Sequence, residues 1–200
     1  MESNYPAVKR FLDLILSFFG ILAALPFWLL IAAAIKLEDN GPIYHYKICR
    51  TLNGKVFQQL KFRSMIPDAE KETGPVLAKK NDERITRVGK LLRRTALDEL
   101  PQLVNILKGE MSFVGPRPQR EILIRDYIKT IPHYDDRHKV RPGLTGLAQV
   151  CGRYHTPPRL KLKYDLFYVK KMNFFLDLKL FFLSCLITCK AKRDSLEKKR

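Results

Sequence analysis

The chain has 200 residues, enough for one domain with a real core and hardly enough for two. Its 37 basic residues against 20 acidic ones leave a formal charge of +17, which points to a polyanionic partner: nucleic acid, anionic lipid headgroups or nucleotide phosphates. The four cysteines (Cys49, Cys151, Cys185, Cys189) form no CxxC pair and no Cys/His cluster at zinc spacing, so they read as free thiols in a reducing compartment.

Residues 14–35 form a run of 22 positions without a formal charge, preceded by Lys9-Arg10 and followed by Lys36. At helical rise that is about 33 Å, long enough to cross a bilayer core. Asp13, Pro26 and the length of the run argue against a cleaved signal peptide. A straight span and a re-entrant helix broken near Pro26 both fit the length. The basic flanks favour keeping both ends on one side, so the re-entrant form is expected. Asn40-Gly41-Pro42 is a turn, and residues 43–46 and 56–62 read as a hairpin around Asn53-Gly54. Lys61-Phe62-Arg63 closes it. Alone, that triplet is best read as a solvated basic edge. Residues 67–90, broken by Gly74-Pro75, read as a surface helix and a mobile loop.

The most informative stretch runs from Arg93 to Leu103. Pro101 suits a first helical position, and Leu103, Val104 and Leu107 follow at helical spacing until Lys108-Gly109. Asp98 and Glu99 therefore sit just outside a helix N-terminus, close to Arg93 and Arg94. Ordinary charge complementation, with Thr95 and Asp98 as a capping pair, explains such a pattern in most chains. Residues 109–118 (GEMSFVGPRP) weaken that reading, because two prolines stiff-mount the Arg117 guanidinium in a way that suits gripping a phosphate.

Further on, residues 121–131 carry an amphipathic stripe of Leu123, Tyr127 and Ile131, and residues 141–146 make a rigid turn after which Gln149 is placed to meet a ligand. His155 has no companion at metal spacing. Leu162, Leu166 and Val169 mark another helix. Residues 174–187 are apolar but punctuated by Asp177 and Lys179, and a basic tail follows with Lys190, Lys192, Arg193 and Lys198 to Arg200. That pattern predicts a helix lying in a membrane interface, its cations towards anionic headgroups.

The residues RRTALDELPQLVNILKGEMSFVGPRP (93–118), with the apolar N-terminal run, KFRSM (61–65) and RPGLTGLAQV (141–150), closely resemble the bacterial sugar transferases that make polyprenol-linked sugars, the monotopic phosphoglycosyl transferases. The resemblance extends to about Lys179 and is to the minimal form of the family. It implies transfer of a sugar-1-phosphate from a UDP-sugar to undecaprenyl phosphate, with release of UMP and a need for Mg²⁺. It matches Asp98 to the nucleophile and Glu99 to its acidic partner, both near the metal. Lys61, Arg93 and Arg117 fall on phosphate-gripping positions. Ile48, Leu147 and Cys151 depart from the family's usual residues and leave the sugar unreadable.

Taken together, an α+β fold, mostly helical, is expected. Residues 1–36 form a re-entrant membrane helix, residues 37–189 a compact cytoplasmic catalytic domain with interfacial amphipathic helices, and residues 190–200 a basic tail. The expected location is the cytoplasmic face of the bacterial inner membrane, with no nucleic-acid partner; a homo-oligomer is left open. The competing reading is a non-catalytic, membrane-attached basic module binding anionic lipid or nucleic acid. Against it, the chain shows none of the nucleic-acid-binding motifs.

Overall fold

An unbroken helix of 35 residues, α1 (Tyr5–Asp39), begins the computed structural model, which describes residues 5–71, 74, 82–152 and 156–197, with side chains as far as Thr188. The readings of His155 and Lys198 to Arg200, of the Cys189, Lys190, Lys192 and Arg193 side chains, and of most of the loop between 72 and 81 lie outside the described residues. One stripe of α1 is buried, through Asp13, Ser17, Ala24, Ile31 and Ile35 at spacings that repeat along a single helix face. The opposite face is apolar and open, with Phe11, Phe19, Leu29 and Leu30 all exposed.

Where a break near Pro26 is expected, the helix is continuous. A helical proline costs about 3 kcal/mol. Packing on both sides of it offsets that cost: Ile21 packs on the buried cluster that includes Leu103 and Ile106, while Trp28 stacks edge-on against Phe62 at 5.4 Å and donates to the Tyr44 hydroxyl at 2.8 Å.

Both ends of α1 are tied to the same body. Near its start, Arg10 donates to the carbonyls of Ile106 and Leu107 (2.6 and 2.8 Å), and Asp13 accepts from the Ser112 hydroxyl and the Phe113 amide, each at 3.1 Å. At its end, Glu38 accepts from the amides of Arg87 and Val88, and Asp39 pairs with Arg63. With Leu103 also packed beneath Gly20, the helix lies along the domain rather than projecting from it.

The hairpin forms as expected, with a longer first strand: β1 (Tyr44–Arg50) pairs antiparallel with β2 (Val56–Phe62) around a turn in which Asn53 and Gly54 have positive φ. Helix α2 (Arg87–Thr95) opens with Thr86 as N-cap, accepting from the Gly89 amide. After α2 the chain makes a short 3₁₀ turn over Leu97–Glu99 and enters α3 (Gln102–Lys108). Two polar side chains of α3 clip it to the hairpin. Asn105 accepts from the Leu60 amide at 2.9 Å and donates to the Gln58 carbonyl at 2.8 Å, and Gln102 accepts from Gln59 at 2.9 Å.

A second, parallel pair joins β3 (Ser112–Val114) to β4 (Gly143–Thr145). A Cβ on Gly143 would meet the Gly115 nitrogen at 2.1 Å, and one on Gly146 the Gly115 oxygen at the same distance. The glycines of the PGLTG turn are therefore what let it close against the loop carrying Arg117. Helices α5 (Leu147–Cys151) and α6 (Pro158–Lys171) pack around these strands, and α4 (Glu121–Thr130) joins α6 in a second cluster through Ile124 and Leu162. In α4 the fully buried position is Ile124, beside the Leu123–Tyr127 stripe.

The last helix, α7 (Phe174–Glu197), has the two-sided character predicted for it. Phe175, Phe182 and Leu186 are exposed, while Leu180 is buried. Asp177, a seeming interruption of the apolar run, is a buried junction: it accepts from Tyr168 at 2.7 Å and Tyr5 at 2.5 Å and pairs with Lys9. The fold is α+β and mostly helical, one long apolar helix beside a compact domain.

Candidate active site

Asp98 and Glu99 lie at an elbow between two helices. Ala96 ends α2 in the left-handed region (φ 57°), a conformation that costs a non-glycine residue about 1 kcal/mol or more and turns the chain sharply. The 3₁₀ turn that follows presents both carboxylates towards β2. Asp98 is 9% exposed, so its carboxylate is nearly out of water. Thr95 hydrogen-bonds back to the Leu91 carbonyl at 2.9 Å, and the capping pair with Asp98 does not form.

Two cations meet these carboxylates from other parts of the chain. Lys61, on the inner face of β2, lies 2.6 Å from Glu99 and 3.4 Å from Asp98. Arg117 approaches Glu99 from the loop after β3, at 2.7 Å. Burial by itself raises the Glu99 carboxyl, but Arg117 and Lys61 outweigh it and hold the group down at about 2. Glu99 is thus a permanent anion at any physiological pH. The Arg117 side chain is about half exposed, which leaves that flank of the site accessible.

Of the other expected site residues, Arg93 donates to the Ser64 hydroxyl at 2.8 Å, and this contact holds α2 to the residues after β2. Gln149 donates to the Leu144 carbonyl at 3.1 Å; its own side-chain oxygen is buried without a partner among the described residues. No described contact links either one to the carboxylates.

The sequence reading missed what holds Arg117. Its carbonyl accepts from Arg137 at 2.9 Å, and Arg137 pairs with Asp165 at 2.7 Å, both side chains only 3% exposed. The available signal was an acid on the apolar stripe of α6, three residues after Leu162 and three before Tyr168.

Among the described residues, no group of three or more His, Cys, Asp and Glu side chains converges. Mg²⁺ does not require one, since it is commonly held by one or two carboxylates plus substrate phosphates. The hard oxygen donors of Asp98 and Glu99 fit that pattern.

A nearly buried acidic pair, matched by cations from a hairpin and a proline-flanked loop, makes up the candidate site. It sits on a domain beside the one helix, among the described residues, long and apolar enough to cross a membrane. The chain belongs to the bacterial sugar transferase family, whose model matches residues 4–191.

Among its relatives is the UDP-glucose:undecaprenyl-phosphate glucose-1-phosphate transferase of Xanthomonas campestris pv. campestris. It is 40% identical over 189 residues, covering 92% of this chain and 39% of that protein. The UDP-N-acetylgalactosamine-undecaprenyl-phosphate N-acetylgalactosaminephosphotransferase of Aeromonas hydrophila is 38% identical over 181 residues, covering 89% of this chain and 43% of that one. The exopolysaccharide production protein PSS of Rhizobium leguminosarum bv. phaseoli is 41% identical over 184 residues, 88% of this chain and 92% of its own length. The chain thus spans about two-fifths of the first two relatives and nearly all of the third.

Proposed function

We propose that this protein transfers a sugar-1-phosphate from a UDP-sugar to undecaprenyl phosphate at a membrane surface, as an early step in making a bacterial polysaccharide or glycoconjugate. The observation that carries the reading is the Asp98–Glu99 pair gripped by Lys61 and Arg117. The activities named for the relatives support it and do not favour a non-catalytic basic module. Because those relatives act on different sugars, the sugar is left unassigned.

In the proposed mechanism an Asp98 carboxylate oxygen attacks the β-phosphorus of the donor. A new O–P bond forms, the bridging P–O bond breaks, and UMP leaves with the bonding electrons. An oxygen of the lipid phosphate then attacks the same phosphorus, and the Asp98 carboxylate departs. A carboxylate is a weak nucleophile and meets an anionic substrate, so the site must supply positive charge. Lys61 lies beside the attacking group. Arg117, with its forked guanidinium, is suited to a bidentate grip on the transferred phosphoryl group. Glu99 keeps both cations oriented. Asp98 and Glu99 would hold Mg²⁺, which supplies charge neutralisation for a diphosphate.

Two successive displacements let a soluble donor and a lipid acceptor use one small site in turn. The open apolar faces of α1 and α7 would sit in lipid and bring the acceptor's phosphate to the carboxylates. Since both ends of α1 are tied to one domain, α1 lies in the membrane surface with both ends on the same cytoplasmic face in this reading.

Donor labelled in its sugar tests the mechanism. Without acceptor, an acid-quenched adduct should remain on Asp98, be lost in Asp98→Asn and be reduced in Glu99→Gln, with ping-pong kinetics in steady state. An adduct on another residue, or one surviving in Asp98→Asn, would end the assignment.

A further inference from the structure

Strand alternation and the register of the hairpin put His45, Lys47 and Cys49 of β1 on the same face as Lys61, Gln59 and Phe57 of β2. That face carries the proposed reaction site. His45 stands directly opposite Lys61, and Lys47, opposite Gln59, is its diagonal neighbour. At a diagonal separation of roughly 7–8 Å between backbones, two long ammonium side chains reach a shared ligand.

Lys47 is half-buried, and among the described residues no carboxylate comes within ion-pair distance of it. Its surroundings are mostly repulsive. Burial, then Lys61 and then Arg120 push its ammonium down to about 8, with Glu70 opposing them only in part. The Arg120 guanidinium is itself committed to Glu70 at 2.8 Å. Holding a partly desolvated, unpaired cation among other cations is costly unless an anion arrives to share it.

We propose that Lys47 and Lys61 form a two-phosphate cradle, with Lys47 holding the α-phosphate of the nucleotide donor, the one that departs in UMP. This rests on the UDP-sugar reading above and adds the residue that grips the leaving group. Lys47 also lines a cavity of about 490 Å³ together with Tyr46, Glu70, Arg120 and Ile122, within the size range of small-molecule sites. None of the cavity's lining residues comes from α1 or α7. A polyprenyl acceptor must keep its phosphate near those apolar helices, so this end of the cradle suits a soluble nucleotide. The nucleoside of the donor would occupy the cavity.

Binding of UMP to the full chain in detergent or nanodiscs, measured by calorimetry without turnover, tests the cradle. Lys47→Met keeps the aliphatic stem and removes the charge, and should weaken UMP by about tenfold or more, the worth of one charge-assisted hydrogen bond. Lys47→Arg should retain most of the affinity. Thermal stability separates this from a structural role: removing an unpaired, crowded cation should leave the midpoint unchanged or raise it. Unchanged UMP affinity in Lys47→Met, a fall in stability matching the loss of binding, or no UMP binding by the unaltered protein would each overturn the proposal. So would a raised KM for a short-chain polyprenyl phosphate with UMP binding intact, since the anion held would then be the lipid's. Wild-type binding of UMP that depends on Lys47, in a protein that forms no Asp98 adduct, would sink the covalent mechanism and leave the cradle standing.

Discussion

Replacing Asp165 by Asn would strip the partner from a guanidinium that is almost wholly out of water. Arg137 and Asp165 are each 3% exposed and 2.7 Å apart. Nε and one terminal nitrogen of Arg137 have no acceptor among the described residues, the other terminal nitrogen reaches both Asp165 and the Arg117 carbonyl, and the Tyr134 ring lies 5.5 Å from the guanidinium. Breaking such a pair from one side costs about 3–5 kcal/mol. For a chain of this size that corresponds to a fall of roughly 6–20 °C in the thermal midpoint.

Burial raises the Asp165 carboxyl against the pull of Arg137, so desolvation outweighs attraction within the pair. The double variant Arg137→Met/Asp165→Leu should therefore recover most of the lost stability. It should not recover activity. Without Arg137 the carbonyl of Arg117 loses its donor, and kcat/KM for the nucleotide donor should stay about tenfold low. Differential scanning fluorimetry and UMP-release kinetics on the three proteins decide the matter. A midpoint for Asp165→Asn within a degree or so of wild type would refute the burial argument, and a fully active double variant would refute the positioning role.

Arg117→Lys should lower kcat/KM at subsaturating donor by about tenfold or more, because a point charge cannot reproduce a forked contact; full activity would reduce Arg117 to a structural residue of its turn. A cysteine placed at position 4 should resist an impermeant thiol reagent applied outside right-side-out vesicles and react once they are opened. Labelling from outside would replace the same-side placement of α1 by a span.

Local signals in the sequence marked three of the elements and the acidic pair. Charge-free length marked α1, the Asn53-Gly54 turn marked the hairpin, and Pro101 with the spacing of Leu103, Val104 and Leu107 marked the start of α3, with Asp98 and Glu99 just before it. These are local signals, set by backbone geometry within a few residues. Which side chains meet depends on the docking of distant elements. Lys61 reaches Glu99 from 38 positions away, whereas Arg93, five residues before Asp98, turns to Ser64. Asp13, Asp177 and Asp165 look like interruptions of apolar runs, yet each is a buried acceptor whose donors come from distant elements. Periodicity reports which side of a helix faces inward. It carries no information about the donor waiting there, because that pairing depends on how separate elements dock, and docking is set by shape and burial across the whole domain.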